Sequence, residues 1–164
     1  MKNKKMMLAA LFIAFSAIGA AVKIPAVIGS VALDTFPALA AAALLGGGAG
    51  SVVAGLGHLL SALVGGMPLG PLHFLVAAEM AVLVWIYGKL WASGRRKAAF
   101  AVFAAGNTFA APLPFLFLMG TGFYIAIVPS LLVGSLLNGL LAFWAVPRIS
   151  RVLGERQREG NVPE

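Results

Sequence analysis

Apolar stretches long enough to cross a lipid bilayer run through this chain almost end to end. Met6 to Val22, Leu72 to Trp91, Ala98 to Met119 and about Phe123 to Val146 hold hardly any charge, and roughly 20 such residues make one helical crossing. Of the 164 residues, 61% are hydrophobic and 10% charged, against about 45–50% and about 25% in ordinary soluble domains. A single soluble domain still needs a wetted surface, so a soluble enzyme, a nucleic-acid-binding domain and a disordered protein are all excluded. The net charge of +7, from twelve Lys and Arg against five Asp and Glu, therefore reads as membrane topology and not as nucleic-acid binding. No cysteine is present, which removes disulfides, thiolate chemistry and cysteine-based metal sites.

Breakers divide the chain. Met6 to Val22, behind Lys2, Lys4 and Lys5, has the outline of a secretory signal, with small residues around Gly19 to Ala21 where cleavage would fall. The equal hydrophobicity of the remaining chain favours a first membrane helix instead. Lys23 to Thr35, with Pro25, Gly29, Ser30 and Asp34, reads as a loop; Gly46-Gly47-Gly48-Ala49-Gly50 splits the next apolar region. Gly65-Gly66-Met67-Pro68-Leu69-Gly70-Pro71 is a strong breaker cluster, Ser93-Gly94-Arg95-Arg96-Lys97 a basic turn, and Gly120-Thr121-Gly122 leads into a last span closed by Pro147. The expectation is an all-α integral membrane protein, one transmembrane domain with helices at about 6–22, 35–45, 49–64, 72–92, 98–119 and 123–146. A cytoplasmic tail, 148–164, follows.

Charge decides whether residues 35–65 cross once or twice. With two crossings, Lys2, Lys4, Lys5, Lys89, Arg95, Arg96, Lys97, Arg148, Arg151, Arg156 and Arg158 share one side, and Lys23 stands alone on the other. A single crossing turns the Arg95 segment outward, against the positive-inside rule. Six helices with both termini cytoplasmic follow. The second of them, residues 35–45, spans only about 17 Å at 1.5 Å per residue, against a hydrocarbon core of about 30 Å. Its outer end stops inside the membrane, and the loop bearing Asp34 dips toward the bundle, a depth at which irregular backbone survives only beside protein or a watery cavity. A concave site opening outward is expected. Gly46-x-x-x-Gly50, Ala10-x-x-x-Ala14 and Ser16-x-x-x-Ala20 have the small-residue spacing of closely packed helices, as ordinary packing within the bundle also gives.

Inside these spans strongly polar side chains are few: Asp34, His58, His73, Glu79, Asn107 and Asn138, beside Lys89 near an inner end. A carboxylate at mid-bilayer costs on the order of 2.5–3.5 kcal/mol, so such groups usually face a cavity or the protein interior. All six sit from the membrane centre outward in the six-helix plan, which points to one polar pocket. Phe74 is expected to join them, among the aromatic residues Phe36, Phe109, Phe115, Phe123 and Tyr124 near the outer side. Trp91 and Trp144, near the basic ends, read as interfacial belt. Structural readings stand beside these. Asn107 and Asn138 can be hydrogen-bond glue between helices, Asp34 can cap the second helix with Pro37 in its first turn, and a histidine–carboxylate pair can simply tie helices together. Two histidines and two carboxylates without H-x-x-x-H or H-E-x-x-H spacing do not indicate a metal site, and no cofactor is expected. No phosphate-binding GxxxxGK[ST] occurs, so any uptake must be driven by a partner.

The runs Ala9-Ala-Leu-Phe-Ile-Ala-Phe-Ser-Ala-Ile-Gly19, Lys23-Ile-Pro, Gly29-Ser-Val-Ala-Leu-Asp34-Thr-Phe-Pro37 and Gly55-Leu-Gly-His58-Leu-Leu-Ser-Ala-Leu-Val-Gly-Gly-Met-Pro-Leu-Gly-Pro-Leu-His73 resemble the substrate-binding (S) components of energy-coupling factor (ECF) vitamin transporters. The resemblance implies a six-helix subunit of a bacterial cell membrane that binds a vitamin or precursor from outside. It then topples while docked to a transmembrane coupling subunit and two ATPases. It also implies that Ala10 and Ala14 form the docking pattern on the first helix, and that segments 23–34, 65–71 and 119–123 close over the ligand. The Met-x-His start of the nickel and cobalt members is absent here, where the chain begins Met1-Lys2-Asn3. Leu33-Asp34-Thr35 with Gly57-His58 and Pro71-Leu72-His73 is most similar to the cobalamin-precursor branch, which implies the nucleoside α-ribazole as ligand, with other heteroaromatic vitamins fitting the same groups. Two other classes stay open from the residues alone: a structural membrane protein, and an ion or proton carrier using Glu79 and the histidines.

Overall fold

A computed structural model describes residues 2–25 and 30–159. Its helices are α1 (Lys2–Ala21), α2 (Phe36–Leu45), α3 (Gly47–Val64), α4 (His73–Ala92), α5 (Arg96–Ala105), α6 (Leu113–Leu118) and α7 (Thr121–Glu159). A 3-10 turn (Gly70–Leu72) leads into α4 and a π turn (Gly106–Ala110) joins α5 to α6; strands β1 (Lys23–Pro25) and β2 (Ser30–Ala32) form a hairpin. Five segments have the length and hydropathy of membrane crossings: Asn3–Ala21, Gly47–Val64, Gly70–Ala92, Arg96–Leu118 and Thr121–Arg151. The ten-residue α2, about 15 Å long, is the sixth helix of the bundle.

That short helix is the centre of the packing. Pro37 to Ala42 are all buried, and α1, α3, α4 and α7 all pack against it. A helix that is apolar on every side belongs in an interior, and its alanines let neighbours approach closely. Gly46, at φ +101°, turns the chain directly into α3, and Gly50 lies so near Ala42 that no Cβ fits between them. Across from this corner, a Cβ on Gly88 of α4 would stand 2.5 Å from the Cα of Gly47 and 3.0 Å from its nitrogen. Because the obstacle is backbone, Gly88→Val should cost at least the upper part of the ~1–3 kcal/mol range for overpacking. We expect a sharp fall in the yield of monodisperse protein in detergent, read by size-exclusion chromatography and thermal melting.

Every Lys and Arg whose side chain is described lies at one end of the bundle: Lys4 and Lys5 at the start of α1, Lys89 in the last turn of α4, Arg95, Arg96 and Lys97 at the start of α5, and Arg148 and Arg151 late in α7. Indole rings lie beside these cations, Lys89 over Trp85 at 5.4 Å, Arg96 over Trp91 at 5.3 Å and Arg148 over Trp144 at 3.9 Å, as at a membrane–water boundary. The α2–α3 corner sits at this same end, against Trp85 and Lys89. Helix α2 therefore fills only the basic half of the bundle. The volume above its N-terminus is left to the site.

Three features depart from what the sequence predicts. Residues 23–35, expected as a loop, contain an antiparallel hairpin pairing Lys23 with Ala32, Ile24 with Val31 and Pro25 with Ser30; backbone amides emerging at this depth need partners, and the hairpin supplies them. The last helix does not stop at Pro147 but runs to Glu159, so the described part of the tail is helical. Prolines are tolerated within membrane helices, and Arg148 reaches back to donate to the Trp144 carbonyl at 2.7 Å. The fifth span is not a regular helix. Pro112 cannot donate and its ring clashes with the carbonyl four residues back, and the chain inserts a π turn in which Ala111 N–H donates to Gly106 O at 2.8 Å.

Candidate functional site

Above α2 lies a cavity of about 570 Å³, walled by residues from α1, α3, α4, α5, α6 and α7, from β2 and from the π turn. Small-molecule sites typically measure about 300–1,000 Å³. Asp34, His58, His73, Glu79, Asn107 and Asn138 all stand on its wall. A smaller void of about 10 Å³, bounded by Asp34, Thr35, Ala38, Ala54, His58 and Met80, lies at the N-terminus of α2 and has room for about one water.

Helix α4 supplies His73, Val76, Glu79 and Met80 to the wall. His73 and Glu79 are about 120° apart on an ideal helix; both reach the cavity because it is wide and because α4 begins at His73. Phe74 does not. One residue past the buried His73 the helix has turned about 100°, and Phe74 points away from the bundle with 63% of its surface exposed. The aromatic wall is made instead by Phe103, Phe115 and Phe123, the last two with ring centroids 6.0 Å apart. Phe103 and the serines Ser61 and Ser130 also stand on the wall without a local sequence signal that marks them, although Ser61 falls one helical turn beyond His58 on the same face of α3.

Asp34 accepts hydrogen bonds from Ser61 Oγ at 2.5 Å and Thr35 Oγ1 at 3.2 Å. It does not cap α2, whose N-cap residue is Thr35 without a side-chain cap bond. The cap comes from α7: Asn138 Oδ1 accepts from the Phe36 N–H at 2.7 Å, while its Nδ2 donates to Ala32 O at 2.9 Å and to Gly134 O at 3.0 Å. A donor that α2 cannot satisfy internally and the end of the hairpin are thus held by one amide. The hairpin is also fixed to α1, where Leu33 N–H donates to Gly19 O at 3.2 Å. Asn107, in the π turn, donates to Ser135 Oγ at 2.8 Å, and Ser135 in turn donates to Leu131 O at 2.6 Å. These bonds join the fifth span to α7.

The histidines form a relay. The Leu69 N–H donates to His73 Nε2 at 3.3 Å, which places the His73 proton on Nδ1. His73 Nδ1 lies 3.1 Å from His58 Nε2, so His58 accepts there and carries its own proton on Nδ1. His58 therefore keeps a donor at Nδ1. Glu79 Oε2 is buried and has no hydrogen-bond partner, and an unpaired buried polar atom is costly. Of the two carboxylates on the wall, Asp34 is occupied by Ser61 and Thr35, while Glu79 keeps an acceptor open. Among the described residues, no Lys or Arg lines the cavity.

On α1, Ala10 and Ala14 are exposed on the bundle's outer surface. Ser16 and Ala20 are buried on the other face, where Ser16 lies so close to α3 that a Cβ on Gly57 would stand 2.7 Å from its Oγ.

No curated protein and no solved structure matches the chain. The family model described as "ECF transporter, substrate-specific component" matches residues 4–154, a range that holds every described residue of the cavity wall. The chain belongs to this family of multi-pass membrane subunits, which serve a small-molecule substrate and work with ECF coupling and ATPase modules.

Proposed function

We propose that this subunit captures a vitamin or vitamin precursor from the outer face of a bacterial cytoplasmic membrane, with the nucleoside α-ribazole as the first candidate ligand. The observation that carries the reading is the gathering of the scarce intramembrane polar residues, from five separate parts of the chain, around one cavity of about 570 Å³. That volume suits an organic ligand and exceeds the needs of an ion carrier. The positive-inside rule turns the basic end of the bundle toward the cytoplasm, with both termini there, and so turns the cavity outward. Ribose hydroxyls would donate to Glu79, the free benzimidazole nitrogen would accept from His58 Nδ1–H, and Phe103, Phe115 and Phe123 would flank the ring system. Delivery follows by toppling with the coupling subunit and two ATPases, docked through Ala10 and Ala14.

The test is thermal melting of the purified protein against a panel of vitamins and nucleosides. Ligand at 100 times its Kd adds about 2.7 kcal/mol of stability, so α-ribazole is expected to raise Tm by several degrees. Stabilisation by a different heteroaromatic vitamin would reassign the ligand. Ala10→Trp is expected to leave this stabilisation intact and to abolish uptake in cells, because it fills the docking face and not the cavity.

A further inference from the structure

We propose that the cavity admits neutral or cationic ligands and rejects the phosphorylated or carboxylated forms of the same molecules, so that the subunit takes up a free nucleoside or alcohol and not its phosphate ester. This rests on the cavity being the ligand site. The two carboxylates on the wall, Asp34 and Glu79, face no Lys or Arg among the described lining residues. A phosphate buried there loses its hydration and meets no counter-charge among the described lining residues, a penalty of several kcal/mol per ion even after relaxation, and like charges brought together add to it.

The histidines do not supply the missing cation. Both nitrogens of His73 are committed, Nε2 to the Leu69 N–H and Nδ1 to His58. A proton added at His73 Nε2 sets N–H against N–H. One added at His58 Nε2 faces the His73 Nδ1–H in the same way. The relay is complete with both rings neutral, and it presents a single donor, His58 Nδ1–H. The remaining cation on this side is Lys23, the one Lys or Arg in the sequence between Lys5 and Lys89. It belongs to β1 of the hairpin. A wall with an open carboxylate acceptor, one imidazole donor and apolar rings matches a ligand that offers hydroxyl or amine donors and one heterocyclic acceptor.

The experiment measures Kd for matched pairs on the intact protein: α-ribazole and its 5′-phosphate, thiamine and thiamine phosphate, pyridoxine and pyridoxine phosphate, with biotin as a carboxylate. For any parent that binds, the ester is expected to bind at least about 100-fold more weakly, the scale set by a like-charge contact of several kcal/mol. A binding parent other than α-ribazole, with its ester rejected, would change the ligand assigned above and leave this proposal standing. Comparable affinity for parent and ester, or tight binding of biotin, would overturn it.

Discussion

Glu79→Gln is expected to weaken ligand binding about tenfold to a hundredfold and, in the same protein, to raise the melting temperature of the empty form. The two signs come from one observation. Glu79 Oε2 is buried without a hydrogen-bond partner, so the empty protein bears the cost of desolvating a carboxylate oxygen, and a neutral amide of nearly the same shape bears less. In the complex proposed above, that oxygen accepts from the ligand. Hydrogen bonds to charged groups are worth about 1.5–3 kcal/mol, which at 1.4 kcal/mol per tenfold gives the stated loss. Titration calorimetry with the wild-type ligand and melting curves without it read the two quantities separately. An unchanged affinity would remove Glu79 from the site; a lowered melting temperature would mean that the carboxylate is paired in the empty protein.

Asn138→Ala is expected to lower both stability and affinity. Its amide accepts from Phe36 N–H and donates to Ala32 O and Gly134 O. Truncation leaves the first amide of α2 and a hairpin carbonyl without partners in a water-poor interior. Each such group costs about 1–3 kcal/mol, although interhelical bonds in membrane proteins average nearer 0.6 kcal/mol. A loss of about 2 kcal/mol is expected, together with at least a tenfold loss of affinity, since Asn138 fixes the N-terminus of α2 and the end of the hairpin against the cavity. Asn138→Asp is a sharper probe: it keeps the acceptor for Phe36 N–H but turns a carboxylate oxygen toward the carbonyls of Ala32 and Gly134. We expect it to rescue little of either quantity. A variant with normal melting and normal binding would contradict the role given to this amide.

What the sequence made legible was fixed by arithmetic and charge. An apolar run of eleven residues is too short for a bilayer, which announced that α2 stops midway and leaves space above it. Basic residues on alternate turns then fixed which crossings share a side. Scarcity did the rest: six polar side chains among long apolar spans are conspicuous, and all six stand on the cavity wall.

The rest depended on partners distant in sequence or on helix phase. Asn138 caps a helix 102 residues away, and no local pattern announces that; Asp34, with its capping position beside Thr35 and Pro37, was the local reading. Phe74 was misplaced by about 100° of helix rotation, because the direction of its side chain depends on where α4 begins and on His73 taking the inward position. The pairing of His58 with His73 joins two helices across a breaker loop, and its sense is set by a single backbone amide at Leu69. The π turn follows from Pro112, yet its consequence, Asn107 bonded to Ser135, needs α7 in place.

The most direct test of the account is mass spectrometry of small molecules released from the purified protein, with wild type and Glu79→Gln prepared in parallel from cells supplied with the vitamin panel. The account predicts a stoichiometric, uncharged or cationic heteroaromatic molecule from the wild type and a markedly depleted amount from Glu79→Gln. An equal yield from both proteins, or a phosphorylated molecule as the bound species, would contradict it.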